Sequence, residues 1–198
     1  MSVLLILTTF LALIVLAVLL RDRFLSFRGQ DALDYTGLGP QFDPRVHLAG
    51  AMVCDGVIFG PTGRVASCFT GRITGRWDGD RGDLTMDFVY DSGARQSRNW
   101  KLTLLLDGSL TGLADDVKGQ GQGAMAGPAM QLRYRIALPP DAGGHVLSAV
   151  DWMYLTRDGH IVNRSQFRKY GILVAELVGS IRPDAPSEND APGEGDGQ

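Results

Sequence analysis

From residue 51 onward apolar and polar side chains alternate with a period of two, and short groups of Gly, Asp and Pro interrupt the alternation at regular intervals. That period belongs to strands with one face buried, and the interruptions belong to tight turns. Residues 51–59 predict a first strand, and Gly60-Pro61-Thr62-Gly63 turns the chain into a second at 64–77. Leu84, Met86, Phe88 and Tyr90 share one face against Thr85, Asp87 and Asp91. Trp100, Leu102, Leu104 and Leu106 alternate with Asn99, Lys101 and Thr103, and Asp107-Gly108 is a hairpin signal leading into residues 110–118. Met130, Leu132, Tyr134, Ile136 and Leu138 alternate with Gln131, Arg133 and Arg135. Residues 145–156 and 160–170 flank the turn Arg157-Asp158-Gly159. Residues 171–181 form a last strand or a short helix, and the pattern favours the strand. The glycine-rich run GQGQGAMAG at 119–127 is a poor strand former and predicts a turn with a weak edge.

Neighbouring strands joined by hairpins, with no helix long enough for a parallel crossover, predict a meander. A meander of this length closes to remove its edges. The expected fold is all-β, an antiparallel up-and-down barrel of about 8–9 strands, an interior that side chains fill or that holds one small ligand. Phe88, Tyr90, Trp100, Tyr134 and Trp152 are expected to line that interior.

The first residues break the pattern. Residues 3–20 (VLLILTTFLALIVLAVLL) carry no charge and would span about 27 Å as a helix, enough for a slightly thin bilayer core. No Lys or Arg precedes the run, and it ends in Arg21-Asp22-Arg23-Phe24 rather than at a small-x-small cleavage site. The first cysteine is Cys54, so there is no lipobox. The segment is therefore expected to stay attached as a single-pass anchor in the inner membrane. The organisation that follows is an anchor over 1–23, a linker over 24–45, a barrel domain over 46–182 and a disordered tail over 183–198. Arg21, Arg23 and Arg28 on the far side of the run place the domain in the cytoplasm by the positive-inside rule.

Composition narrows the function classes. The formal net charge of −3 over 198 residues lacks the basic excess of a nucleic-acid binder. Cys54 and Cys68 fall opposite each other if the turn centres on Pro61, and are then either bonded or two buried thiols. With no His pair nearby they make no zinc site. Asp115 and Asp116 point to opposite faces of a strand, so only one can face inward, where it would act as an acid or base or else cap backbone. Asp151 is expected to pair with Arg168 or Lys169 on the following strand. His47, His145 and His160 are scattered, and no nucleophile elbow, metalloprotease helix or phosphate loop occurs. No catalytic residue, metal or cofactor is expected from these patterns. Arg133 and Arg135 read as a solvated face that a polar lipid headgroup could use.

The strings Gly75-Arg76-Trp77-Asp78-Gly79, GDLTMDFVYDSG (82–93), Arg98-Asn99-Trp100, GLADDVKGQGQG (112–123), DWMYL (151–155) and NRSQFRKYG (163–171) together resemble the bacterial domain-of-unknown-function family 3833. The resemblance covers residues 42–181. It implies a domain of lipocalin-like character with no established activity, commonly placed behind a lipoprotein signal and so outside the cytoplasm. The plain helix of this chain departs from that pattern, and the side of the membrane stays open. Gly75-Arg76-Trp77 also resembles the lipocalin Gly-x-Trp, which packs beneath a basic residue from a late strand. Arg164 or Arg168 would supply that cation, stacked on the indole of Trp77 in a structural role. Asp116 and Asp151 are likewise assigned structural roles.

Two functions follow as expectations. The first is a membrane-anchored, lipocalin-like module that binds a small apolar or amphiphilic ligand, with a filled-barrel scaffold as its variant. The second is an enzyme acting on a lipid or isoprenoid, which requires Asp115, Asp116 or Asp151 to share a cavity with a basic group.

Overall fold

The computed structural model describes residues 2–184. Helix α1 (Ser2–Phe24) contains the apolar stretch Val3–Arg21, with mean hydropathy 3.2 and none of it buried against the rest of the chain. It is long and apolar enough to cross a membrane. A second, four-residue helix α2 (Pro44–His47), capped by the Asp43 side chain, leads into the sheet.

The expected all-β antiparallel barrel is present, and among the described residues it has ten strands rather than eight or nine. They are β1 (Gly50–Phe59), β2 (Val65–Asp78), β3 (Arg81–Tyr90), β4 (Arg95–Leu104), β5 (Ser109–Leu113), β6 (Gly121–Ala126), β7 (Ala129–Ala137), β8 (Val146–Leu155), β9 (Ile161–Lys169) and β10 (Ile172–Pro183). Each pairs with its sequence neighbour, and β1 pairs with β10 to close the wall. The extra strand comes from the glycine-rich run. A Cβ at Gly123 would lie 2.2 Å from the Gln131 carbonyl oxygen, and one at Gly112 would lie 2.9 Å from the Trp100 ring. Glycine thus serves here to let large side chains and a neighbouring strand approach the wall closely.

One end of the barrel is tightly packed. Leu48, Ile73, Leu84, Leu110 and Ile161 are almost wholly buried there. Trp77 closes this end by donating its indole N–H to the Leu48 carbonyl at 3.1 Å. Gly75 is required because any Cβ would sit 1.8 Å from the same carbonyl oxygen. At the opposite end, bounded by the turns near residues 60–64, 91–94 and 170–171, the inward-facing Ile58, Phe88, Tyr90, Phe167 and Leu177 are only half buried. We call this end the mouth.

Residues 24–45, expected as a linker, are folded: the first part lies on the outer wall, while Phe42 packs into the main core. Two 3-10 turns, Phe27–Gly29 and Ala32–Tyr35, bury Phe27 and Ala32 against Ala129 and Trp152. Gln30 Oε1 accepts from the hydroxyls of Tyr35 and Tyr154 at 2.6 and 2.8 Å. Trp152, expected inside the barrel, lies instead on the outer face, fully buried beneath this segment with Tyr35 5.6 Å away. Because both faces of β8 are covered, apolar residues occupy both phases of the strand and alternation does not reveal which phase points in.

The strand reaches Pro183, which pairs with Met52, and the Asp184 N–H bonds the Ala51 carbonyl. The expected tail therefore begins later than residue 183; its remainder, 185–198, lies outside the described residues. Cys54 and Cys68 are not opposed. Cys54 pairs with Gly71, and Cys68 with Val57, because the first hairpin carries a longer turn and an irregularity between Ile58 and Phe59. Cys54 is a buried free thiol and Cys68 an exposed one.

Candidate functional site

The inward phase of β4 reads Arg98, Trp100, Leu102, Leu104, placing one charged residue among apolar ones. The inward phase of β8 reads Leu147, Ala149, Asp151, Met153, Leu155, with the same anomaly. These two residues meet at the mouth side of the core through Tyr134 of β7. The Tyr134 hydroxyl donates to Asp151 Oδ2 at 2.9 Å and accepts from Arg98 Nη1 at 3.5 Å. Arg98 also donates from Nε to Asp116 Oδ1 at 3.0 Å. Its guanidinium carbon lies 4.7 Å from the Trp100 ring centre and 5.2 Å from that of Tyr134. Trp100 and Tyr134 pack edge to face at 5.0 Å.

Asp116 reaches this point because β5 stops early. It pairs with β4 only along Lys101–Leu104, so the first half of β4 has no partner on that side. Residues 114–120 fill the gap and run beside β7, where Ala137 N–H bonds the Asp116 carbonyl at 2.7 Å and Val117 bridges Ile136. The ion pair between Arg98 and Asp116 fastens this loop across the wall.

The electrostatics follow from burial. Loss of hydration pushes the Asp151 carboxyl above the usual carboxylate range; the Ser165 hydroxyl, the Arg98 charge and the Tyr134 hydroxyl pull the other way without cancelling it. Burial also raises the Tyr134 phenol, and the Asp151 charge adds to it. Burial opposes the Arg98 charge, but Tyr134, Asp116 and Asp151 outweigh it and hold the guanidinium protonated. Two atoms of the cluster, Arg98 Nη2 and Asp151 Oδ1, are buried without a hydrogen-bond partner, the nearby Ser165 hydroxyl donating to Asn163 Oδ1 at 3.2 Å. Such atoms are costly unless something meets them. One needs an acceptor; the other, when ionised, needs a donor.

Of the residues singled out from the sequence, Trp100, Tyr134, Asp116 and Asp151 come together. Phe88 and Tyr90 line the mouth, packed on Phe69 at 5.6 and 6.2 Å. Trp152 is outside the barrel. Asp151 does not pair with Arg168 or Lys169, because it points inward while Arg168 faces the outer wall. Neither Arg164 nor Arg168 covers Trp77. Arg164 bonds Glu176 at 2.7 Å and lies over the Phe27 ring, and Arg168 bonds Gln166 and the Gly171 carbonyl. Strand register puts both on the outside, whereas Trp77 is inside. Arg98 is not among the site residues singled out above, although a cation in the apolar phase of its strand is a legible signal. Among the described residues no group of three or more His, Cys, Asp or Glu is placed to hold a metal ion.

Two solved structures share this architecture. Rv2717c from M. tuberculosis is 16% identical, with a TM-score of 0.53 over 75% of this chain and 99% of that one. The S-type phycobiliprotein lyase CPES from Guillardia theta is 8% identical, with a TM-score of 0.52 over 70% of this chain and 89% of that one. At such identities the likeness concerns the fold alone, a lipocalin-like barrel. The chain has no significant match among curated protein sequences. The family model described as Protein of unknown function (DUF3833) matches residues 23–182, and the chain belongs to that family.

Proposed function

We propose that this protein is a membrane-tethered barrel that holds a small amphiphilic molecule, with α1 as the tether. The apolar body of the ligand lies among Phe88, Tyr90, Ile58 and Phe167 at the mouth. Its polar group meets Arg98 and Asp151. The observation that carries this reading is the pair of buried, unpartnered atoms, Arg98 Nη2 and Asp151 Oδ1. A hydroxyl, carboxylic acid or amide offers both an acceptor and a donor and would satisfy the two together. The half-buried aromatic mouth supports an apolar remainder, and the long apolar helix supports a bilayer as the source of such molecules.

The test uses the full chain in detergent micelles, titrated with a fluorescent long-chain fatty acid and with the corresponding alcohol. Saturable binding that weakens in Arg98→Met is the expected result. Failure of both probes to bind, together with a native mass spectrum free of copurified small molecules, would leave a filled barrel with a scaffold role.

A second reading, an enzyme acting on a lipid or isoprenoid, is favoured by one specific observation. Asp151 retains its proton more strongly than an ordinary carboxyl and sits beside Tyr134 and a fixed cation, as an acid–base group would. The lyase among the structural neighbours is consistent with chemistry in such a barrel. Turnover of a bound ligand that is lost in Asp151→Asn while binding persists would favour this reading over simple binding.

A further inference from the structure

The outer wall carries a second polar site that the barrel interior does not explain. Between the folded segment 27–31 and the outer faces of β7, β8 and β9 lies a cleft of about 640 Å³. Three cations line it, Arg28, Arg133 and Arg168, against a single carboxylate, Asp31. That carboxylate is already engaged, since its Oδ1 accepts from the Leu33 N–H at 3.0 Å as a helix cap. Among the described residues the lining thus carries more guanidinium groups than carboxylates.

Gln131 supplies the independent sign of a ligand. It is 7% exposed, lines the same cleft, and its Nε2 has no hydrogen-bond partner. Its Oε1 accepts from Arg133 Nε at 2.7 Å, which orients the amide so that the nitrogen is the remaining donor. Arg168 is held in position by Gln166 Oε1 at 2.9 Å and the Gly171 carbonyl at 3.0 Å. A buried amide donor flanked by fixed guanidinium groups is a setting for an oxyanion with several acceptor oxygens.

The cleft also adjoins the end of α1. Gly29 lies so close to Phe24 that a Cβ there would be 2.5 Å from the Phe24 carbonyl, and its N–H bonds Ser26. We propose that the cleft binds a phosphate-class anion, with one oxygen accepting from Gln131 Nε2 and the charge paired with Arg133 and Arg168. The phosphate comes either from an anionic lipid headgroup or from free solution. The lipid source rests on α1 being the membrane tether; the anion site itself does not.

Two arms separate the sources. Thermal unfolding of the full chain in neutral detergent is followed while inorganic phosphate replaces chloride at constant ionic strength. The same chain is then placed in phosphatidylcholine nanodiscs with and without phosphatidylglycerol. Stabilisation in both arms supports the site and shows that phosphate alone suffices. Stabilisation by phosphatidylglycerol only supports it with a headgroup as the ligand. In either case Arg133→Gln weakens the response about tenfold, while Arg135→Gln, an exposed arginine on the same strand outside the cleft, leaves it intact. Gln131→Leu also lowers the response, and if that variant fails to fold, Arg133→Gln carries the test alone. No response in either arm, or an equal response in Arg133→Gln and Arg135→Gln, overturns the proposal. Fatty-acid binding in the interior is measured on the same variants, so loss of one site is distinguished from loss of the other.

Discussion

Tyr134 donates its hydroxyl to Asp151 Oδ2 across 2.9 Å inside the barrel, on adjacent strands and two residues off direct register. The bond ties a phenol to a carboxyl that burial keeps from ionising at its ordinary value. Several measurable consequences follow from it and from its neighbours.

Asp151→Asn tests the cost of that carboxyl. Its folded-state value lies above the ordinary 3.8, so the folded protein holds the proton more tightly than the unfolded chain. Stability is therefore full below the unfolded value and falls as pH rises through the interval up to the folded value. Asparagine keeps the size and accepts the same bond from Tyr134 without that loss. Denaturant midpoints of the full chain in detergent should be higher for the variant at neutral pH and converge with the parent below about pH 4. A gap that persists in acid would show that the effect is not ionisation.

Removing the cation leaves the half-buried Asp116 and the buried Asp151 without their shared positive partner. Arg98→Met should cost about 3 kcal/mol, a figure suited to a pair whose side chains are only 14% and 24% exposed. Asp116→Asn should cost less, since Arg98 retains Tyr134 and Asp151, but it should loosen the loop at 114–120. Hydrogen exchange at Val117 and Lys118 would report this. Unchanged protection there would argue against the ion pair as the fastening.

Gly75→Ala tests the closed end. The new methyl would lie 1.8 Å from the Leu48 oxygen, so Leu48 and α2 must move, at about 2–3 kcal/mol. Gly60→Ala, whose Cβ would meet nothing nearer than 3.9 Å, is the matched control. Equal midpoints for the two variants would contradict the close approach.

Trp152→Ala should lose about 3–5 kcal/mol and free the segment that covers it. Limited proteolysis should then cut within residues 27–42, and the parent should resist. Resistance equal to the parent would mean the segment is held by other contacts.

The thiols should behave differently. Cys68 is exposed and should take up a maleimide in the folded chain, whereas Cys54 should not until denaturant is added, because burial pushes its thiol up to about 11. An intact mass two hydrogens short under non-reducing conditions would indicate a bond that the register in this structure does not permit.

Much of the fold was legible in the chain. Period-two alternation identified the strands, and Gly-rich turns with short spacing implied the antiparallel order. The uninterrupted apolar run identified α1. Glycine-rich β6 is not legible as a strand because its glycines make room for Leu110, Leu132 and the β7 backbone, contacts that local alternation does not encode.

What alternation determined was that residues 51 to about 170 form half-buried strands, since burying one face of a pleated strand requires every second side chain to be apolar. It could not choose the phase of β8, because Trp152 and its neighbours are apolar on the outer side to receive the folded segment at 27–35. Nor could it set the pairing of Cys54 and Cys68, which depends on one irregularity in a turn. The cluster of Arg98, Asp116, Tyr134 and Asp151 was decided only by closure of the barrel and the early end of β5. Those contacts join elements far apart along the chain, and local periodicity carries no information about which distant strand becomes a neighbour.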